Sequence, residues 1–175
     1  MLQIRERDLP SRDILSITEA TVQSARRTGA QVLVNDRADV ARCAGAGVHL
    51  ATRSLTAEVV RRSFGPDFIV GASTHSLEEA VSAENDGADF LVFGPVFETP
   101  SKQKYGPPAG VGALKIVASR VRIPVLALGG ITLANFHEPL EAGAAGVAAI
   151  SLFAHAADLE AVVRRIKSFG GLSST

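Results

Sequence analysis

The chain has 175 residues, and its 18 basic and 18 acidic side chains leave no net charge. This length fits one domain over residues 1–175, and the balanced charge lacks the basic footprint of a nucleic-acid-binding protein. Cys43 is the single cysteine, which excludes an internal disulfide framework. No apolar run reaches the length of a membrane span or signal sequence. We therefore expect a cytoplasmic protein with neither nucleic-acid nor membrane partners.

Short apolar runs alternate with helical stretches along the whole chain. Seven predicted strands lie near residues 2–5, 32–34, 48–50, 68–72, 90–93, 125–128 and 147–150. Seven predicted helices lie near residues 12–28, 40–44, 56–64, 77–86, 111–119, 133–142 and 159–169. Four helical stretches end in Gly-Ala, at Gly29, Gly45, Gly87 and Gly143. Glycine there ends a helix in the left-handed conformation and leads directly into the next strand.

This alternation predicts a parallel α/β sheet, and polar or glycine-rich strand ends favour a barrel of the TIM (β/α)8 type over an open sheet. A closed barrel needs eight strands, whereas seven are predicted, so we expect the first strand and helix to be missing. Either the start is misassigned or truncated, or the barrel is closed by other means. If these 175 residues are the real protein, we expect an opened or distorted barrel whose gap is covered by a neighbouring subunit or by residues 170–175, and at least a homodimer.

Gln3, Arg5 and Arg7 alternate near the start of the chain. If the first strand extends that far, all three side chains point to one face. Buried guanidinium groups need anionic partners. Glu6 and Asp8 are one possibility, and a diphosphate ligand is the other.

Asn35 and Asp36 follow the second predicted strand directly. Asp36 suits a Mg²⁺ ion bridged to a diphosphate, because Mg²⁺ takes one or two carboxylates and leaves its other positions to water and phosphate. It suits equally well a cap for the helix that follows. The local sequence leaves both interpretations open.

His75 lies beside Ser73 in the loop after the fourth predicted strand. A histidine in such a loop is a candidate acid/base group, because its ordinary pKa lies near neutrality. More commonly, such a histidine is a polar residue whose ring only forms structural hydrogen bonds.

The stretch over residues 89–112 begins as a strand and continues as a long polar loop. Thr99, Ser101 and Lys102 place two hydroxyls and an ammonium group within four positions. These groups are typical of an anion site, since they donate to phosphate oxygens.

A second candidate phosphate site follows the last two predicted strands. Gly129-Gly130 ends one of them, and Ile150-Ser151 ends the next. Glycine lets backbone N–H groups approach an anion, and these loops carry the phosphate in many barrels. Two ordinary tight turns are the alternative.

These residues together resemble the thiamine phosphate synthase/TenI superfamily, a family of TIM barrels in thiamine biosynthesis, from its second strand onward. On the pyrimidine-diphosphate side, residues 3–7 match the QLREK stretch that binds this substrate, and Ser73 matches the diphosphate-binding serine. Residues 35–37 match NDR, residues 47–50 match the start of GVHLGQ, and residues 99–102 match T-x-T-K. Gly130, Ile150 and Ser151 match the thiazole-phosphate loops. The resemblance implies Mg²⁺ at Asp36 and a catalytic role for Arg5 and Lys102, which would help the diphosphate depart together with Arg7. It implies substrate contacts at the other positions.

Several departures keep the reaction open between three alternatives. Ser54 stands where the synthase has a second Mg²⁺-binding aspartate, which implies weak Mg²⁺ binding, and Arg7 replaces its lysine. Phe97-Glu98-Thr99 resembles the TenI branch, but Pro95 stands where a tautomerase pattern has its acid/base histidine. The resemblance therefore implies a synthase that couples thiazole phosphate to the pyrimidine diphosphate, a thiazole tautomerase, or a non-catalytic regulatory paralogue that binds a phosphorylated ligand.

Overall fold

Strands and helices alternate in a computed structural model of the chain, which describes residues 1–99 and 107–170. The strands are β1 (Leu2–Ile4), β2 (Val32–Asn35), β3 (Gly47–Leu50), β4 (Val70–Thr74), β5 (Phe90–Phe93), β6 (Val125–Leu128) and β7 (Gly146–Ala148). The helices are α1 (Ser11–Ala25), α2 (Ala38–Ala44), α3 (Ala57–Phe64), α4 (Leu77–Asn85), α5 (Gly110–Arg120), α6 (His137–Glu141), α7 (Ser151–Ala154) and α8 (Leu159–Gly170). Within the described ranges, no helix is long and apolar enough to cross a membrane.

The chain divides into two compact units, the first formed by Met1–Ser73 with Asn85–Asp89 and the second by Thr74–Glu84 with the residues from Phe90 onward. In the first unit β1, β2, β3 and residues 70–73 of β4 are parallel neighbours in sequence order. Val34, Val48 and Val70 lie in its core with at most 1% of their surface exposed. Burial of these β-branched side chains stabilises the parallel pairing.

In the second unit β5, β6 and β7 are again parallel neighbours in sequence order. Leu91 and Phe93 of β5 are buried, as are Leu114 and Val117 of the covering helix α5. The Gly94 N–H donates to the carbonyl of Thr74 at 3.2 Å. This bond joins the chain after β5 to the last residue of β4.

The predicted α/β alternation is confirmed, and the four helix-ending glycines have the expected positive φ. Several boundaries differ from the prediction, and two of these differences have a visible cause. β4 begins at Val70 rather than at residue 68, because Arg61 Nη1 donates to the Phe68 carbonyl and takes that group away from the strand ladder. The helix predicted over residues 133–142 begins only at His137.

Asn135 explains the late start of α6. Its Oδ1 accepts from the Thr132 N–H at 2.8 Å, and its Nδ2 donates to the Gly130 carbonyl at 3.0 Å. A side chain that bonds to nearby backbone in this way competes with helix formation. Residues 133–136 therefore form a turn, and this turn fixes the Gly130 loop. The short helix α7 was not predicted.

The strands β1 and β7 are each less buried than the strand with which they pair. In the first unit β1 pairs with β2 and Leu2 is half exposed, whereas in the second unit β7 pairs with β6 and none of its three residues is fully buried. Barrel closure, a missing first βα unit, the single domain and the homodimer stay predictions.

Candidate active site

In the first unit, four side chains at the ends of neighbouring strands form one hydrogen-bonded network. Gln3 Nε2 donates to Asn35 Oδ1 at 3.0 Å and lies 2.8 Å from His49 Nδ1. On the other side of the imidazole, His49 Nε2 lies 3.2 Å from Ser73 Oγ. The parallel register, which sets Asn35 opposite His49, brings these groups together. Gln3, Asn35 and Ser73 were all predicted site residues, whereas His49 was not.

His49 is the most deeply buried member of this network, with 6% of its surface exposed. Burial, together with a smaller effect of the positive charge of Arg5, lowers the pKa of His49 from its ordinary value of 6.5 to about 4. The imidazole is therefore neutral at pH 7. It acts in the network as one donor and one acceptor.

This depressed pKa makes stability depend on pH in a defined window. The unfolded chain binds the His49 proton more tightly than the folded chain, so stability is full above pH 6.5 and falls as the pH drops toward about 4. We expect the histidine alone to lower the free energy of unfolding by about 2 kcal/mol between pH 7 and pH 5. Urea unfolding at both pH values measures this loss. In His49→Asn the difference should shrink by that amount, and an equal pH dependence in both proteins would contradict it.

Arg5 and Arg7 lie beyond the end of β1 and are both exposed. The strand was predicted to reach residue 5, but it ends at Ile4, so Arg5 and Arg7 do not continue its alternation. In the described part of the chain, neither guanidinium forms an ion pair with Glu6 or Asp8. The alternative of local ion pairs would require these two carboxylates to neutralise the arginine charges, and they do not.

Asp36 is exposed and is the one described residue other than glycine with a positive φ, at 62°. Its N–H donates to the His49 carbonyl at 2.9 Å, which holds this backbone conformation. A non-glycine residue kept in this region is a reason to consider a functional role. Asp36 does not cap α2, which has Arg37 at its N-cap position and no side-chain cap.

Ser54, at the position of the second aspartate, takes part in a local turn. Its Oγ accepts from the Ala51 N–H at 2.8 Å, and its own N–H donates to the Ala51 carbonyl at 2.9 Å. Among the described residues, no group of three or more His, Cys, Asp or Glu side chains could hold a metal ion. Asp36 itself offers one exposed carboxylate, which suits an ion carried in by a phosphate ligand.

In the second unit, the loop after β5 lies directly against the glycine loop after β6. The N–H groups of Val96 and Phe97 donate to the carbonyls of Leu128 and Gly129 at 2.9 and 3.0 Å. Gly130 has a φ of +64°, and a Cβ atom there would overlap the Glu98 carbonyl oxygen. A glycine is required at this position, because another residue would push the two loops apart.

His75 belongs to the second unit and is tied to the same loop. Its Nδ1 is hydrogen-bonded to the Gly94 carbonyl, so Nδ1 carries a proton. Its N–H donates to a carboxylate oxygen of Glu79 at 2.7 Å, at the start of α4. These contacts orient the ring, and an acid/base role for His75 stays a prediction.

The remaining predicted residues lie on the loops of the second unit. Thr99 is half-buried, Ile150 is 67% exposed, and Ser151 is the exposed first residue of α7. Since Leu128 of β6 pairs with Ala148 of β7, the loops of Gly130 and Ile150 leave the sheet at the same edge. Ser101 and Lys102 lie outside the described residues.

Two contributors were not predicted from the sequence. His49 lies in the stretch that resembles GVHLGQ, but it was not assigned to the site, although Gln3 and Asn35 in the QLREK-like and NDR-like stretches were. Asn135 lies within the predicted helix of residues 133–142, yet its side chain bonds the Gly130 carbonyl. The local signal for this role was the residue type itself, because an asparagine three positions after Thr132 is typical of a turn or cap.

Comparison with known proteins identifies relatives over most of the chain. The family model described as thiamine monophosphate synthase matches residues 1–153. A putative thiamine-phosphate synthase of Geobacter sulfurreducens is 48% identical over 151 residues, covering 86% of this chain and 71% of that protein. The thiamine-phosphate synthase of Methanoculleus marisnigri is 42% identical over 168 residues, covering 95% of this chain and 80% of that protein.

A solved structure extends this likeness to the fold. Thiamine phosphate pyrophosphorylase from Pyrococcus furiosus matches with a TM-score of 0.88 and 34% sequence identity, over 99% of this chain and 83% of that one. A structure described as native KDPGal matches with a TM-score of 0.59 at 18% identity, which bears on the fold alone. The arrangement of parallel strands and helices is therefore shared with a protein of the same family.

Proposed function

The chain belongs to the thiamine monophosphate synthase family, and we propose that it couples a hydroxymethylpyrimidine diphosphate to a thiazole phosphate to give thiamine phosphate. The names of its relatives support this reaction. The observation that carries the proposal to this chain is the network of Gln3, Asn35, His49 and Ser73, which gathers three residues that resemble the family's pyrimidine-diphosphate site.

The reaction is a substitution at the methylene carbon of the pyrimidine. The bond from this carbon to the diphosphate oxygen breaks, the oxygen keeps the electron pair, and the thiazole nitrogen forms the new bond to carbon with its lone pair. Negative charge grows on the departing diphosphate, so groups that donate hydrogen bonds or carry positive charge lower the barrier. Arg5, Arg7 and Ser73 of the first unit are suited to this task, and we assign Lys102 to it from the sequence.

We assign the thiazole phosphate to the loops of Gly130, Ile150 and Ser151 in the second unit. Gly130 has no side chain to cover its backbone, and the Ser151 hydroxyl is exposed. Thr99 and Ser101 add hydroxyl donors of the kind that phosphate oxygens accept. A thiazole held by its phosphate loses less translational and rotational freedom in the reacting step than a free one, which lowers the entropic part of the barrier.

Mg²⁺ is the ion that the family resemblance implies, and Asp36 is the residue that would hold it. A single exposed carboxylate fits an ion that shares its remaining positions with water and diphosphate oxygens. When bound, Mg²⁺ neutralises charge on the diphosphate. Asp36, whose backbone is held by its N–H bond to the His49 carbonyl, would contribute one carboxylate ligand.

Restoring the second carboxylate should strengthen Mg²⁺ dependence in a measurable way. We expect Ser54→Asp to lower the Mg²⁺ concentration needed for half-maximal synthase rate by about tenfold, since it adds a second hard oxygen ligand of negative charge. The new side chain still has an oxygen that can accept from the Ala51 N–H, so the turn is kept. Ser54→Asn is the matched neutral control and should leave the requirement unchanged. Equal Mg²⁺ curves for all three proteins would contradict the assignment.

One assay separates the three alternatives that the sequence leaves open. The purified chain is incubated with both substrates and Mg²⁺, and thiamine phosphate and released diphosphate are quantified. Production of both in equal amounts supports the synthase. Conversion of a thiazole tautomer without the pyrimidine substrate points to a tautomerase, and binding of thiazole phosphate without turnover points to a non-catalytic paralogue. Either of these results overturns the proposed reaction.

A further inference from the structure

His49 lies at the centre of the network but has no assigned role in the proposed reaction. It is 6% exposed and contacts Gln3 through one ring nitrogen and Ser73 through the other. A buried polar ring must satisfy both nitrogens, because an unpaired buried polar group is costly. The direction of each hydrogen bond therefore determines which way its neighbours point.

The amide of Gln3 sets the proton arrangement. Its Nε2 carries two hydrogens, one donated to Asn35 Oδ1 and the other directed at His49 Nδ1. His49 Nδ1 must then accept, and the proton of the neutral ring must lie on Nε2. That nitrogen donates to Ser73 Oγ at 3.2 Å.

We propose that His49 is a positioning residue that fixes the direction of the Ser73 hydroxyl. By donating to one lone pair of Oγ, the His49 Nε2–H prevents Ser73 from donating back to the ring. The hydroxyl hydrogen then points away from His49, where it donates to an acceptor. Phosphate oxygens only accept, so a serine arranged in this way is ready for a diphosphate.

The identity of the ligand in this inference rests on the proposed function, whereas the tautomer of the His49 ring does not. His49 does not serve as an acid or base here, since both ring nitrogens are occupied by contacts inside the fold. Its effect on the reaction passes through Ser73, and through the orientation of Gln3.

The proton arrangement is tested first, in the unmodified protein without ligand. Nitrogen-15 NMR of labelled histidine distinguishes the two neutral tautomers and the imidazolium, and His49→Asn assigns the His49 signals among the four histidines. We expect His49 to remain the Nε2–H tautomer from pH 6 to pH 8. An Nδ1–H tautomer, in which both amides are turned and Ser73 donates to the ring, or an imidazolium in this range, would overturn the proposal.

The effect on a ligand is tested with inorganic diphosphate and Mg²⁺ by titration calorimetry. His49→Gln keeps a donor near the position of Nε2, whereas His49→Asn keeps an acceptor near Nδ1 and loses that donor. We expect His49→Asn to weaken binding about fivefold, as for one lost hydrogen bond, and His49→Gln to restore most of it. If the role of His49 were merely structural, the two variants would not differ in diphosphate affinity according to the donor that they keep.

A double substitution completes the test. If His49 acts through Ser73, His49→Asn should add less than about twofold to the loss already caused by Ser73→Ala, because the hydroxyl it orients is gone. Independent, additive losses would overturn the proposal. A wild-type protein without synthase turnover would refute the proposed function alone, since the NMR and diphosphate measurements do not depend on turnover.

Discussion

Replacing Gly94 with alanine is expected to cost the most stability of any single change considered for this chain. A Cβ atom there would overlap the carbonyl oxygen of Leu128, and the nearest atoms of that residue are all backbone. Neither loop can yield by turning a side chain. We expect Gly94→Ala to lower the free energy of unfolding by about 3 kcal/mol, in the range of severe overpacking, as measured by urea unfolding at pH 7.5.

Gly112 is the matched control for this experiment. It lies inside α5, and a Cβ atom there would meet nothing within 4 Å. Gly112→Ala should therefore raise the free energy of unfolding by about 0.5–1 kcal/mol, because alanine is the better helix former. If Gly94→Ala proved as stable as the parent chain, the close contact between the two loops would not exist as described.

Replacing Arg5 with alanine is expected to have the largest effect on the rate. In the proposed reaction, negative charge develops on the diphosphate, and the Arg5 guanidinium is exposed without an ion pair to Glu6 or Asp8. Removing one well-placed charge of this kind lowers kcat/KM by about 100-fold. Steady-state kinetics with varied pyrimidine diphosphate measures the loss. Arg5→Lys should recover part of it, since it keeps the charge but not the planar fork.

Arg12 is a suitable control because it is also an exposed arginine near the start of the chain. Its side chain is 88% exposed on α1, with Asp13 at 3.6 Å, so Arg12→Ala should leave kcat/KM within about twofold of the parent. Arg5→Ala should also raise the pKa of His49, since the Arg5 charge is one cause that lowers it. Unchanged kinetics in Arg5→Ala together with a raised His49 pKa would mean that Arg5 approaches the network but does not act on the substrate.

Local patterns in the sequence were enough to predict most of the fold. The run Phe90–Phe93 was identified with its exact bounds, and so was the strand Val125–Leu128, because an apolar, β-branched or aromatic run between turn signals has few alternatives. Helix ends at the Gly-Ala pairs were also predictable, since the left-handed turn needs glycine at that position. These are interactions between residues a few positions apart.

Local sequence was therefore enough for the order of strands and helices, the family resemblance and the residue types at the strand ends. The tertiary structure decided which of those residues meet. Gln3 reaches Asn35 across 32 positions and His49 across 46, and only the parallel register aligns them. Likewise, the sequence does not distinguish an asparagine in a helix from one in a turn, and the bond of Asn135 to the Gly130 carbonyl shows that it lies in a turn. A histidine in a buried strand has the same local pattern whether or not its ring is satisfied, because its partners come from neighbouring strands that sequence spacing does not specify.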